Sequence, residues 1–210
     1  MKLEKRIRLA LERMLSDGFD DLFLPAELTE RLRIFSASVG ASPDILSVPV
    51  EPFPNTLLGQ CFNNCIHIGS VVGGEIVHGW AWHQIQNLFV VAEFHAIWRT
   101  PDHHLIDVTP SSRPRSTTTF SIDPIRVAAD IVPGSIFKGS QPNRRFALKD
   151  VEEVREWICA EDANASMNRR RIENGEMIPP TEVALTLERN VNARARIVAR
   201  LRRIQPHHGR

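Results

Sequence analysis

Apolar residues recur at spacings of three and four in Leu3, Ile7, Leu11, Met14 and Leu15, which sets them along one face of a helix and predicts one that ends near Gly18. Between Phe19 and Pro54 the pattern weakens. Pro25, Gly40, Pro43, Pro49, Pro52 and Pro54 divide it into short pieces, with one short helix expected around Glu27 to Phe35 and then an extended, proline-rich approach. Runs rich in Val, Ile, Phe and Trp follow at Glu75 to Trp82, Leu88 to Arg99 and Leu105 to Val108, and these read as strands. Pro101-Asp102-His103-His104 is a tight connection between the last two, so an antiparallel hairpin is expected there.

The polar stretch Ser111 to Thr119 reads as a loop or edge segment, and Ile125 to Phe137 as a possible return to the sheet. Asp150 and Glu153 have the spacing of a capping box ahead of a stripe formed by Leu148, Val151, Val154, Trp157 and Ile158. After Pro179-Pro180 a last helix is expected from about Thr181, with Leu187, Val191, Val198, Leu201 and Ile204 facing inward. The expected fold class is α+β, a helix on an antiparallel sheet with helices at both ends. Three segments follow: a helical and proline-rich wrap over 1–54, a core over 55–140 and a helical extension over 141–210.

Composition changes this picture little. Apolar residues make up 42% of the 210 and charged residues 24%, as in ordinary globular proteins that bury a core without disulfides or metal. Three cysteines fit a reducing compartment better than a disulfide framework, and no apolar run reaches the length of a signal peptide or a membrane span, so a cytoplasmic location is expected. The net charge of +1 hides an excess of arginine from Ala165 onward, ten arginines against four acidic residues. That excess could attract an acidic partner. No nucleic-acid-binding motif or interleaved aromatic accompanies it, so a solvated helix face is the preferred reading and nucleic acid is not expected as a partner.

The candidate chemistry lies between Cys61 and Pro110. Gly59-Gln60-Cys61-Phe62-Asn63-Asn64-Cys65 reads as the start of a short helix ending before Gly73-Gly74. A cysteine in the first turn meets free backbone N–H groups and the positive end of the helix dipole, which favour a thiolate nucleophile. His95, in a strand, and Asp107, in the next, can share one face of the hairpin, where a carboxylate would fix the imidazole tautomer.

Cysteine on a helix start, then histidine and aspartate on successive strands, resembles the papain-like and transglutaminase-like cysteine superfamily. The closest likeness is to uncharacterised bacterial proteins with Cys-Phe-x-Asn, Gly-Trp, His-Ala-x-Trp and Asp-Val-Thr-Pro. Those elements stand here as Cys61-Phe62-Asn63-Asn64, Gly79-Trp80, His95-Ala96-Ile97-Trp98 and Asp107-Val108-Thr109-Pro110. The resemblance implies a thiol-dependent acyl-transfer enzyme, performing hydrolysis, deamidation or transamidation on a peptide, protein or small amide, with Cys61, His95 and Asp107 as its catalytic triad. Gln60 and Asn55 are candidate oxyanion donors, set against a plain turn role for Asn55. Trp80, Trp82 and Trp98 are candidates to border a substrate groove, set against a core role.

Two alternatives stand beside this reading. A non-catalytic module of the same fold would use the arginine-bearing C-terminal helices as its binding surface. A zinc-stabilised domain would draw on the concentration of Cys61, Cys65, His67, His78, His83 and His95, the first four above all, but a second tight ligand pair is missing, so no cofactor is expected.

Overall fold

The computed structural model describes residues 2–111, 115–125 and 141–204. Its helices are α1 (Leu3–Ser16), α2 (Glu30–Ser38), α3 (Cys61–Val72), α4 (Glu152–Glu173) and α5 (Pro180–Ile204). Its strands are β1 (Leu24–Pro25), β2 (Ile45–Pro49), β3 (Glu75–Ile85), β4 (Phe89–Arg99), β5 (Leu105–Ile106), β6 (Thr117–Ile122) and β7 (Arg144–Ala147). The fold is α+β, a mostly antiparallel sheet with helices at both ends of the chain. Two compact units share it: a helical unit of Met1–Leu22, Asn87–Phe89 and Ala147–Arg210, and a sheet unit of Phe23–Gln86 and Val90–Phe146. Among the described residues no helix is long and apolar enough to cross a membrane.

In the sheet unit the strands run in the order β2-β6-β3-β4-β5, with β1 added to β3 and β7 to β4. The two ends of that path meet, because Val50, just past β2, bridges Asp107, just past β5, in parallel. Asp107 N–H donates to the Pro49 carbonyl at 2.9 Å, and Glu51 N–H donates to the Asp107 carbonyl at 2.9 Å. Closure gives the sheet two apolar faces. Val48, Val77, Ile97 and Phe120 form one cluster, and Cys65, Ile68, Ala96, Trp98 and Val108 form another beneath α3. With both faces covered, β3 and β4 are almost continuously buried, which is why their sequences read as apolar runs rather than as an alternation.

Gly79 shows how tightly β3 and β6 approach. A Cβ there would fall 2.1 Å from the Ser121 carbonyl oxygen and 2.5 Å from the Phe120 ring. At the other end of the α3–β3 connection, Gly73 and Gly74 take φ of 88° and 85°, conformations open to glycine. Gly73 N–H closes α3 on the Gly69 carbonyl, and Trp98 Nε1 donates to the Gly73 carbonyl at 2.9 Å, pinning the helix end to β4.

Several sequence expectations need correction. Ser111 to Thr119 is not all loop, since from Thr117 the chain is β6, an interior strand between β2 and β3. Thr118 and Thr119 are polar yet buried, and their hydroxyls are satisfied inside: Thr118 donates to Asp107 Oδ2 at 2.6 Å and Thr119 to the Ala26 carbonyl at 2.8 Å. The proline-rich approach likewise contains β2, whose Leu46 and Val48 pack against the Phe120 cluster. The expected short helix over Glu27 to Phe35 begins later, at Glu30, where Thr29 Oγ1 caps Leu32 N–H. The capping box does not form. Val151 is the N-cap of α4 without a side-chain bond, and Asp150 instead takes Arg155 as partner. The run beyond Ile125, through Phe137, lies outside the described residues.

In the helical unit α5 packs against α1 and α4. Its buried stripe is Leu187, Asn190, Arg194, Ile197 and Leu201, not Val191 and Val198, and Ile204 is exposed. Two members of that stripe are polar. A hydrophobic pattern passes over them, yet Asn190 donates to Glu161 at 2.9 Å, and Arg194 meets Asp20 and, at 3.5 Å, Asp17.

Candidate active site

Cys61 is the first residue of α3, after Gln60 as N-cap. The helix starts there because Asn64 ties it to the preceding loop. Asn64 Oδ1 accepts from Leu57 N–H at 2.9 Å, and Asn64 Nδ2 donates to the Leu57 carbonyl at 2.8 Å and to Thr109 Oγ1 at 3.3 Å. One buried amide thus joins the cysteine-bearing turn to the segment that follows Asp107. The first N–H groups of α3 have no intrahelical partner, as in any helix.

His95 and Asp107 share a face for a reason of register. Trp98 pairs with Ile106, so those side chains lie on one side of the sheet. His95 is three residues before Trp98 and Asp107 one after Ile106, so both point to the other side. His95 Nε2 stands 3.1 Å from Asp107 Oδ1, and the two side chains are 6% and 0% exposed. The ring N–H is not well aligned on the carboxylate, so this contact is an ion pair first and a hydrogen bond second.

Asp107 is held from three further directions. Thr109 N–H donates to Oδ1 at 3.1 Å, Thr118 Oγ1 donates to Oδ2 at 2.6 Å, and Arg115 Nη2 reaches Oδ2 at 3.4 Å. Burial alone would push this carboxyl up. The His95 charge, with the bonds from His95, Thr118 and Thr109, outweighs burial and holds it at about 2. Burial likewise pulls His95 down, but the charges of Cys61 and Asp107 and their hydrogen bonds carry it well above the ordinary histidine value. Cys65, one helical turn beyond Cys61, is fully buried, and burial followed by the charges of Cys61 and Asp107 pushes its thiol far up.

His95 and Asp107 therefore stand together, and Cys61, which packs with Ala96, Trp98 and Val108, is near enough for its charge to act on His95. The other candidates are dispersed. Gln60 Oε1 accepts from Asn63 Nδ2 at 2.7 Å, which turns its carbonyl end into the helix start. Asn55 is exposed, in a turn with φ of 68°, a conformation that asparagine tolerates. Trp80, Trp82 and Trp98 are buried within the sheet unit, so their rings pack in the core rather than border an open groove. Trp82 Nε1 donates to Ser121 Oγ at 2.8 Å, and Trp80 meets Phe94 edge-on. Of the zinc candidates, Cys61 and Cys65 are buried, His67 is exposed on the same helix, and His78 stacks on Phe62 and Phe94. Among the described residues no group of three or more His, Cys, Asp or Glu is placed to hold a metal ion.

Sequence reasoning gave no site role to Asn64, Thr118, Arg115 and Glu93, and weighed His83 only as a zinc ligand. His83 Nε2 lies 3.4 Å from Glu93 Oε2, and Arg115 Nη1 lies 3.5 Å from His83 Nδ1, so a line of polar groups runs from Asp107 to Glu93. Glu93 carried a signal. It is a carboxylate two residues before His95, inside an otherwise apolar strand, and alternation puts the two on the same face.

In the helical unit the arginine excess has carboxylate partners. Arg196 meets Glu156 at 2.6 Å, Arg200 meets Glu153 at 3.1 Å, and Arg170 meets both Glu176 and Glu182. Two of these acids, Glu153 and Glu156, precede Ala165, which is why a local charge count overstated the free positive charge. Comparison with family profiles, with curated proteins and with solved structures gives no match for this chain.

Proposed function

We propose that this protein is a cytoplasmic thiol-dependent acyl-transfer enzyme of the papain-like or transglutaminase-like kind. Cys61 is its nucleophile, His95 its proton carrier and Asp107 the residue that orients His95. The observation that carries the reading is the buried pair of His95 and Asp107, 3.1 Å apart, with a cysteine at a helix N-terminus acting on the same imidazole. With Nε2 turned to Asp107, Nδ1 is the ring nitrogen left for the thiol. A histidine held in its cationic form between two such groups stabilises the thiolate before any substrate arrives.

The thiolate attacks an amide or ester carbonyl, and the carbonyl oxygen gathers negative charge. The unpaired N–H groups in the first turn of α3, that of Cys61 foremost, are suited to receive it. His95 gives its proton to the departing amine or alcohol as the thioester forms. It then takes a proton from the water or amine that attacks the thioester, and Cys61 returns as thiolate. All three cysteines are free, which fits a reducing compartment.

The test is alkylation by iodoacetamide at pH 5.5, where ordinary thiols, with pKa near ~8.5, are protonated and slow. Cys61 is expected to be labelled at that pH ahead of exposed Cys159 and buried Cys65, and His95→Ala should abolish the advantage. Labelling of Cys61 only above pH 8, in step with Cys159, would overturn the proposal.

A further inference from the structure

The polar groups around the triad differ in their access to solvent, and that difference points to a substrate class. Asp107, His95, His83 and Arg115 side chains are 0, 6, 13 and 19% exposed, whereas that of Glu93 is 49% exposed. Glu93 therefore presents the charge that an arriving molecule meets beside His95.

The buried charges largely cancel. The Arg115 guanidinium faces Asp107 Oδ2, and the His95 imidazolium faces the Cys61 thiolate and Asp107. The buried carboxylate, Asp107, is taken up by His95 and Arg115, and the carboxylate of the cluster that reaches water is Glu93. His83 meets one Glu93 oxygen at 3.4 Å, and an imidazole carries charge only when protonated. Partial burial would push the Glu93 carboxyl up, but the bond and charge of His83, with the charges of His95 and Arg115, hold it below the usual carboxylate range. Two residues along a strand is roughly 7 Å, so a cation beside Glu93 lies within reach of a group held at His95.

We propose that this site acts on substrates bearing a primary ammonium or guanidinium group next to the reacting carbonyl, and that Glu93 is the residue that selects them. A peptide with a basic side chain or a free amino group at that position has this chemistry. The inference rests on the acyl-transfer reading of Cys61 and adds to it the charge of the substrate.

Three methanethiosulfonates that differ only in the transferred group test this without knowledge of the natural substrate: 2-aminoethyl (cationic), methyl (neutral) and 2-sulfonatoethyl (anionic). In each, the Cys61 sulfur forms a disulfide with the reagent's sulfenyl sulfur, and methanesulfinate leaves with the bonding pair. Rates at Cys61 are divided by those of a small free thiol under the same conditions. Two unit charges about 7 Å apart, in a medium between protein and water, alter such a rate roughly threefold to fiftyfold. The cationic-to-neutral ratio in the native protein should exceed that of the free thiol by at least about threefold and fall as salt is added. It should drop to the free-thiol value in Glu93→Gln and be retained in Glu93→Asp. An equal ratio in the native protein and Glu93→Gln, or a preference for the anionic reagent, overturns the inference while leaving Cys61 as nucleophile. Failure of the neutral reagent to modify Cys61 overturns the acyl-transfer reading, and this inference with it.

Discussion

Replacing Arg115 by glutamine removes a cation 3.4 Å from a carboxylate that is fully buried. At that separation Coulomb's law gives ~1 kcal/mol with the dielectric constant of water and ~5 kcal/mol at an effective value of 20. The guanidinium is partly exposed, its contact is long, and Asp107 keeps His95, Thr118 and Thr109, so the lower end applies, ~1 to 2 kcal/mol, or about one pKa unit. The sign follows from linkage. The Asp107 carboxyl is held at about 2 in the folded protein, below its value in an unfolded chain, so its ionisation stabilises the fold above pH ~4 and that contribution is lost as pH falls through 2. Raising the folded value by one unit shrinks the contribution. Urea unfolding should therefore show Arg115→Gln less stable than the native protein by ~1.4 kcal/mol at pH 7 and pH 4, with the difference roughly halved by about pH 2.5. Arg115→Lys should recover part of the loss. A loss that is the same at pH 7 and pH 2.5, or equal in the Lys and Gln variants, would show that Arg115 acts through packing and not through charge on Asp107.

Removing the thiol in Cys61→Ala takes away an anion that holds His95 above its ordinary value, so the His95 ring should titrate at lower pH, read from its ¹³C and ¹⁵N resonances. An unchanged titration would mean that the two side chains do not interact. Asn64→Ala deletes a buried amide with three bonds and leaves the Leu57 N–H and carbonyl without it, a cost of ~2 to 3 kcal/mol, seen as a fall in Tm of roughly 4 to 10 °C. Cys61 alkylation should slow in the same variant. Gly79→Ala drives a methyl into the Ser121 carbonyl and the Phe120 ring, and at ~3 kcal/mol or more it should yield a protein whose tertiary near-ultraviolet circular dichroism is weakened or lost. A native spectrum and melting point would refute the close approach of β3 and β6.

The elements with a strong period were legible. The N-terminal helix, the helix at Cys61, the paired strands before and after Pro101 and the two C-terminal helices stand within a few residues of where spacing put them. Among those that escaped notice, β6 is polar and largely buried. β6 looks like a loop because Thr117, Thr118 and Thr119 are hydrophilic, but inside the sheet unit the hydroxyls of Thr118 and Thr119 find Asp107 and a carbonyl. Asn190 and Arg194 belong to the buried stripe of α5 by the same logic, each with a carboxylate partner. A hydrophobicity pattern cannot see such residues. Their burial is affordable only when a partner distant in the chain arrives to satisfy them.

The same division runs through the candidate site. Local sequence determined the helix that begins at Cys61 and the strands that carry His95 and Asp107, because periodicity, glycines and turn residues act over a few positions. Tertiary structure decided that His95 and Asp107 meet. The register of Trp98 on Ile106 turns His95 and Asp107 to one face, and the bridge from Val50 to Asp107 closes the sheet behind them. It also brought Thr118, Arg115, His83 and Glu93 to the same cluster. Distances across separate strands depend on pairings that no single segment encodes, and so does the sharing of charge among groups far apart in the chain.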